Sequence, residues 1–302
     1  MGESCLVLFK PGHGTPVFLA HGLGGAVMEL RDLALRLDTD GPVYGIEARG
    51  LDGTVAPLDR VEDMATFHIA EIRRLQPHGP YRLVGFSFGG LVALEMAQQL
   101  TRAGETVGLL CMLDTYPHTR LWPLRFRVMA WLRLSRFWLS PTLWRALFRH
   151  YSGVLRDLPP ARRWAFVANR ARRAGGILFN IFGAAYRANN YLRPPGAPAA
   201  PPVATRRAAK PVYDATKAAL DAYSPLAYAG DIVFIKAADE TMLPIDADAL
   251  WRPVTRKLQV HVLPGDHQAL VHGDVTLLAR RLSAFLGRTA DAAPMSPPQR
   301  LQ

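Results

Sequence analysis

The chain has 302 residues, 49% of them apolar, with 25 glycines and 24 prolines, so a packed globular core is expected and disorder is excluded. Its two cysteines, Cys5 and Cys111, match neither a metal-ligand spacing nor a disulfide framework, so no metal or cofactor is expected. The net charge of +11 is uneven: Thr119 to Ala222 holds 19 of the 36 basic residues and three of the 25 acids, a net of +16 on a body of −5.

Met1 to Lys10 lacks a basic head and a long apolar run, and Leu6 stands where myristoylation needs Ser or Thr. The longest uncharged stretch of the most apolar region, Ala174 to Tyr186, falls short of the ~20 residues that span a bilayer. Together with the scarce cysteine, this predicts a soluble, cytoplasmic protein. Pro16–Ala20 is a short apolar strand running into glycine-rich sequence, Val27–Leu37 has helical spacing, and Val43–Ile46 is a buried strand. Val61–Leu75 is an amphipathic helix, Tyr81–Phe86 a strand, Gly89–Arg102 a helix closed by Gly104, and Thr106–Leu113 another strand. Continuous apolar strands between helices predict an α/β fold whose mostly parallel central sheet is covered on both faces.

The alternation stops at residue 119. Residues 119–210 are rich in Arg and hold five of the six tryptophans, Trp122, Trp131, Trp138, Trp144 and Trp164. They read as amphipathic helices followed by the Pro/Ala-rich loop Arg193 to Val203. A helix over Val212–Tyr223, strands over Asp231–Lys236 and Leu258–Leu263 and a helix over Val275–Leu286 then resume the pattern. The expected organisation is a core of residues 1–118 and 211–287, a helical lid insertion over 119–210 and a flexible tail over 288–302.

Gly85-Phe86-Ser87-Phe88-Gly89 fits the G-x-S-x-G elbow in its expected strand–turn–helix setting. The glycines are needed because a side chain two positions from the serine would strike the neighbouring strand or helix. A serine hydroxyl needs a base that is itself oriented by a third group. His267, in the polar turn Leu263-Pro-Gly-Asp-His-Gln268 after the last strand, is in the place to serve; His272 falls at or inside the following helix. Two acids could orient the imidazole: Asp114 after the strand that follows the elbow helix, and Asp239 after the next one. Spacing leaves both open. Backbone donors for a developing oxyanion are expected from Phe88, at the start of the elbow helix, and from Leu23, within the glycine run His21-Gly-Leu-Gly-Gly25.

His21–Gly25, Tyr44–Gly53, Gly79–Ala93 and Gly265-Asp-His267 resemble the thioesterase domains that end nonribosomal peptide synthetases and polyketide synthases, of the α/β-hydrolase superfamily. The similarity runs over roughly residues 10–118 and 211–287 and is weak across the insertion, which corresponds to the family's variable lid. It implies Ser87 as nucleophile, His267 as base, Asp114 rather than Asp239 as acid, and Leu23 and Phe88 as oxyanion donors. It also implies an acyl, peptidyl or polyketide chain held as a phosphopantetheine thioester and released by hydrolysis or cyclisation. The chain starts almost at its first strand, so the substrate is expected on a carrier protein in trans or as an acyl-CoA. The long basic lid favours product release over proofreading and suits docking of an acidic carrier. Basic helices with tryptophan are also the signature of peripheral membrane contact, which makes a membrane-surface lipase or carboxylesterase the rival reading. A non-catalytic carrier-binding partner is a third, opposed by the complete triad. No nucleic-acid-binding module is present.

Overall fold

The computed structural model describes residues 4–128, 210–239 and 246–290 and a few isolated positions between 132 and 164. The expected lid helices around Trp131, Trp138 and Trp144 and the loop Arg193 to Val203 lie outside these described residues. By its internal contacts the chain divides into two compact units. One comprises Met1–Pro117, Pro202–Asp239 and Ala247–Gln302, the other His118–Pro201 and Glu240–Asp246.

The first unit is built on strand β4 (Tyr81–Phe86), whose six residues are all buried. Apart from the buried Arg82 it is apolar without alternation because it lies in the middle of the sheet, with parallel neighbours on both edges and cover on both faces. Those neighbours are β2 (Val17–Ala20) and β5 (Val107–Leu113). Outward from β2 come β3 (Val43–Ile46) and β1 (Leu6–Lys10); outward from β5 come β6 (Tyr228–Ala237) and β7 (Thr255–Leu263). Among the described residues only β1 runs antiparallel, paired to β3.

Helix α1 (Arg31–Arg36) follows a short 3-10 turn, Met28–Leu30. With the last helix it covers one face, where Leu30, Leu33, Leu278, Leu282 and Phe285 share a core with Val17, Leu19 and Val84. Helices α2 (Val61–Arg73) and α3 (Phe88–Arg102) pack against each other, and α3 lies against β4 and β5. Helix α3 is buried along most of its length, with Leu91, Val92, Leu94, Met96 and Leu100 sealed from solvent. Truncating such a leucine to alanine typically costs roughly 2–5 kcal/mol.

After the insertion the chain re-enters as α4 (Lys210–Ala222), and the C-terminal part adds α5 (Ala247–Trp251), α6 (Ala269–His272) and α7 (Thr276–Ala290). Several elements differ from the sequence reading. Strand β1 was not foreseen, and β6 and β7 begin earlier, at Tyr228 and Thr255. Their first residues pair Tyr228 with Thr255 and Asp231 with Lys257, so the charged start of each strand is set by the ladder rather than by hydropathy. Helices α5 and α6 are too short to show a period. Helix α7 continues through Gly287 to Ala290, so the first residues of the expected tail are helical.

In the second unit, the described residues include a 3-10 turn, Thr119–Leu121, whose preceding His118 accepts the Arg120 N–H through Nδ1 at 3.2 Å. Trp122 and Phe126 are buried.

Candidate active site

Ser87 sits between β4 and α3 with φ 55° and ψ −119°, a conformation that costs a non-glycine residue of order 1–3 kcal/mol. The surroundings enforce it. A Cβ at Gly85 would stand 2.2 Å from the Gly89 carbonyl oxygen, and one at Gly89 would stand 2.3 Å from that of His21. The Ser87 N–H donates to Leu113 O at 2.8 Å, which ties the turn to β5. Serine before a helix usually spends its hydroxyl on capping. Ser87 makes no such cap, and its Oγ lies 3.1 Å from His267 Nε2.

His267 arrives from β7, three strands and roughly 14 Å from β4 across the sheet. The loop that brings it back turns at Gly265, with φ 97°. Asp266 Oδ1 accepts the N–H groups of Gln268 and Ala269 at 3.0 and 2.8 Å, opening α6 and holding the loop's shape. The imidazole stacks on Phe86, with ring centroids 4.8 Å apart, and its Nδ1 lies 2.7 Å from Asp114 Oδ2. A carboxylate accepting from Nδ1–H leaves Nε2 unprotonated and able to accept the serine proton.

Asp114 leaves β5 with φ 44° and is 7% exposed. Its N–H donates to Ile235 O at 2.8 Å. Its Oδ1 accepts from the Ala237 N–H at 3.2 Å and the Tyr116 hydroxyl at 3.1 Å, leaving Oδ2 to the imidazole. Both oxygens of this buried carboxylate are therefore satisfied. Of the two candidate acids, Asp114 is the one brought to His267. Asp239 is exposed, and its backbone N–H donates to Gly265 O at 3.0 Å, bracing the histidine loop from below. His272 ends α6, with Nε2 3.6 Å from Glu29 Oε2.

Phe88 is buried and is the first residue of α3, so its N–H has no intrahelical acceptor. Leu23 is half-buried in the loop after β2. There the Gly25 N–H donates to Gly22 O at 3.1 Å, and His21 Nδ1 lies 2.7 Å from the same oxygen. The His21 ring is sealed in protein beside His68, with centroids 6.0 Å apart. Burial holds the His21 pKa low, and burial followed by the charge of His21 brings His68 down to about 3. Both shifts favour the neutral imidazole, which keeps an unpaired charge out of the protein beside the loop. Cys5 lies 3.7 Å from His68 Nδ1 as an inert thiol, its pKa pushed up to about 12 by burial and the nearby Glu71.

Tyr116, Phe86 and the Ala237 amide escaped the sequence reading. Tyr116 stands two residues past Asp114 and was the one within reach of local inspection; the other two depend on which strands adjoin. Among the described residues, no group of three His, Cys, Asp or Glu side chains could hold a metal ion.

A mostly parallel sheet with a serine elbow after its central strand and a histidine after its last defines an α/β-hydrolase domain. Residues 15–127 match the family model described as Thioesterase domain. Malpinin synthetase from Mortierella alpina is 41% identical over 126 residues, which is 41% of this chain and 2% of that protein. The chain spans only a small part of the length of its curated relatives, 2% of Malpinin synthetase and 14% of the nonribosomal peptide synthetase apvA from Aspergillus terreus. In three dimensions it resembles the four-domain nonribosomal peptide synthetase holo-AB3403 bound to AMP and glycine, with TM-score 0.63 and 24% identity over 93% of this chain and 20% of that one. It also resembles the type II thioesterase BorB from the borrelidin biosynthetic cluster, with TM-score 0.60 and 17% identity over 95% and 99% of the two chains. The expected resemblance to thioesterase domains of peptide synthetases therefore holds. Among the described residues, no helix is long and apolar enough to cross a membrane.

Proposed function

We propose that this domain is a serine thioesterase that releases an acyl or peptidyl chain from a phosphopantetheine thioester. The observation that carries the reading is the unbroken relay from Ser87 Oγ through His267 to Asp114, at 3.1 and 2.7 Å. In the first step His267 Nε2 takes the hydroxyl proton while Ser87 Oγ attacks the thioester carbonyl. Charge gathers on the carbonyl oxygen, which the Leu23 and Phe88 N–H groups receive. The C–S bond then breaks, the thiolate leaves with the proton held by His267, and the acyl group remains on Ser87. Water, or a hydroxyl or amine of the chain itself, next gives His267 its proton and attacks the ester, so the product is an acid, a lactone or a lactam. Asp114 holds the ring through Nδ1 and stabilises the imidazolium. No cofactor takes part.

The insertion over 119–210 serves as the lid, and its excess of Arg suits an acidic carrier protein and the phosphate of the pantetheine arm. Likeness to domains of peptide synthetases supports a carrier-bound substrate over free acyl-CoA.

The test offers acyl-pantetheine thioesters and matched oxygen esters to the wild type and to Ser87→Ala. Thioester turnover is expected to fall by about 10⁴- to 10⁶-fold in the variant. Turnover that survives the substitution defeats the proposal, and preference for long-chain oxygen esters on anionic vesicles makes the protein a membrane-surface lipase instead.

A further inference from the structure

Leu23 lies between two peptide planes, and each is pinned through its carbonyl. The plane that carries the Leu23 N–H also carries Gly22 O, and in a trans peptide the two point in opposite directions. The Gly25 N–H and His21 Nδ1, which hold Gly22 O, therefore aim the Leu23 amide. The following plane carries Leu23 O, and its partner comes from a distant part of the chain. Thr216, on α4, directs its hydroxyl at Leu23 O from 2.6 Å while itself only 1% exposed. The same helix presses on the loop one turn earlier: a Cβ at Gly25, where φ is 80°, would stand 2.4 Å from Val212 Cγ1. Only glycine lets the loop turn that close to α4.

A hydroxyl has one proton, and Thr216 has three acceptors. Leu23 O is the nearest, while Val212 O at 2.9 Å and Tyr213 O at 3.1 Å belong to its own helix. Back-bonding to the i−4 carbonyl is what an isolated helical threonine does. Here the loop carbonyl lies nearer than either helix carbonyl, so the loop competes with the helix for that proton.

We infer that Thr216 is a positioning residue for the Leu23 amide, so that α4, the helix by which the chain returns from the insertion, sets the geometry of the oxyanion pocket. The catalytic consequence rests on the role proposed above for Leu23. A donor displaced from a forming oxyanion loses its stabilisation in the transition state and little of it in the ground state, so the damage falls on turnover and spares binding.

Thr216→Val keeps the shape and removes the hydroxyl, whereas Thr216→Ser keeps the hydroxyl. With an acyl-pantetheine thioester, kcat is expected to fall about 10- to 100-fold in the valine variant while KM stays within about twofold. The serine variant recovers most of that loss. Hydrogen exchange at residues 22–25 supplies a reading free of turnover, and it is expected to quicken in the valine variant alone while α3 keeps its protection. Unchanged exchange in that loop, or a kcat loss shared equally by the serine variant, overturns the assignment. Failure of the thioesterase reading has a separate signature, wild-type turnover that Ser87→Ala leaves intact, and in that event the exchange result still decides whether Thr216 holds the loop.

Discussion

The turn that carries Ser87 and the loop that carries His267 place their side chains by opposite means. At Ser87 backbone meets backbone, with no room for a Cβ at Gly85 or Gly89, and the serine is forced to φ 55°. At His267 the work falls to side chains: Asp114 at 2.7 Å, Phe86 stacked at 4.8 Å, and Asp266 closing the loop. The imidazole keeps 35% of its side-chain surface exposed, against 8% for Asp114. The nucleophile's position is thus a property of the sheet and its helix, whereas the base's position rests on a few replaceable contacts. Damage to the first should appear as lost stability and damage to the second as lost rate.

The largest effect is expected on the base side. Asp114→Asn leaves Nδ1 facing an amide that can impose the wrong tautomer, and kcat should fall by about 10⁴-fold with the unfolding midpoint nearly unmoved. Asp239→Asn, at the rival position, should stay within about twofold in the same assay, because that side chain is exposed and its backbone makes the contact with the loop. Equal losses in the two variants would erase the distinction between a held base and a packed nucleophile.

On the nucleophile side the readout is denaturant unfolding. Gly85→Ala forces a methyl against the Gly89 backbone and is expected to cost about 3 kcal/mol. Ser87→Gly removes the penalty of φ 55° and should gain about 1 kcal/mol while abolishing turnover. A Gly85→Ala protein as stable as the wild type would show that the elbow is not fixed by packing.

The smallest effect concerns the floor beneath the glycine loop and sharpens the comparison through pH. Unfolded histidine titrates near 6.5, whereas folded His68 stays neutral down to about 3 and His21 is also depressed. Between pH 6.5 and 3 the unfolded chain binds a proton that the His68 ring refuses, so its contribution is complete above 6.5 and is lost as pH falls; the depressed His21 acts in the same direction. The limiting slope is about 1.4 kcal/mol per pH unit for each ring. Replacing His68 by Gln should flatten the acid limb of stability by up to one such slope, read from urea midpoints across that range. An acid limb as steep as the wild type's would show that His68 already titrates normally in the fold.

Much of this was legible in the residues themselves. Tyr81–Phe86 was legible as a strand from its apolar run ahead of the serine turn, and the structure shows all six positions buried. The glycines flanking Ser87 announced a turn that excludes side chains, and a histidine in a polar turn after the last strand was already the candidate base. These features are local, set by hydropathy period and by the sterics of one turn, and a linear text records local constraints. Tertiary structure decided what depends on neighbours far apart in the chain. Asp114 faces the imidazole because β5 adjoins β4 while β6, which leads to Asp239, lies one strand further out. Phe86 meets His267 across 181 positions, and Thr216 reaches Leu23 across 193, by way of a helix that begins after the insertion. Spacing along the chain carries no trace of such pairings, because the order of strands in the sheet and the packing of helices on it bring the partners together.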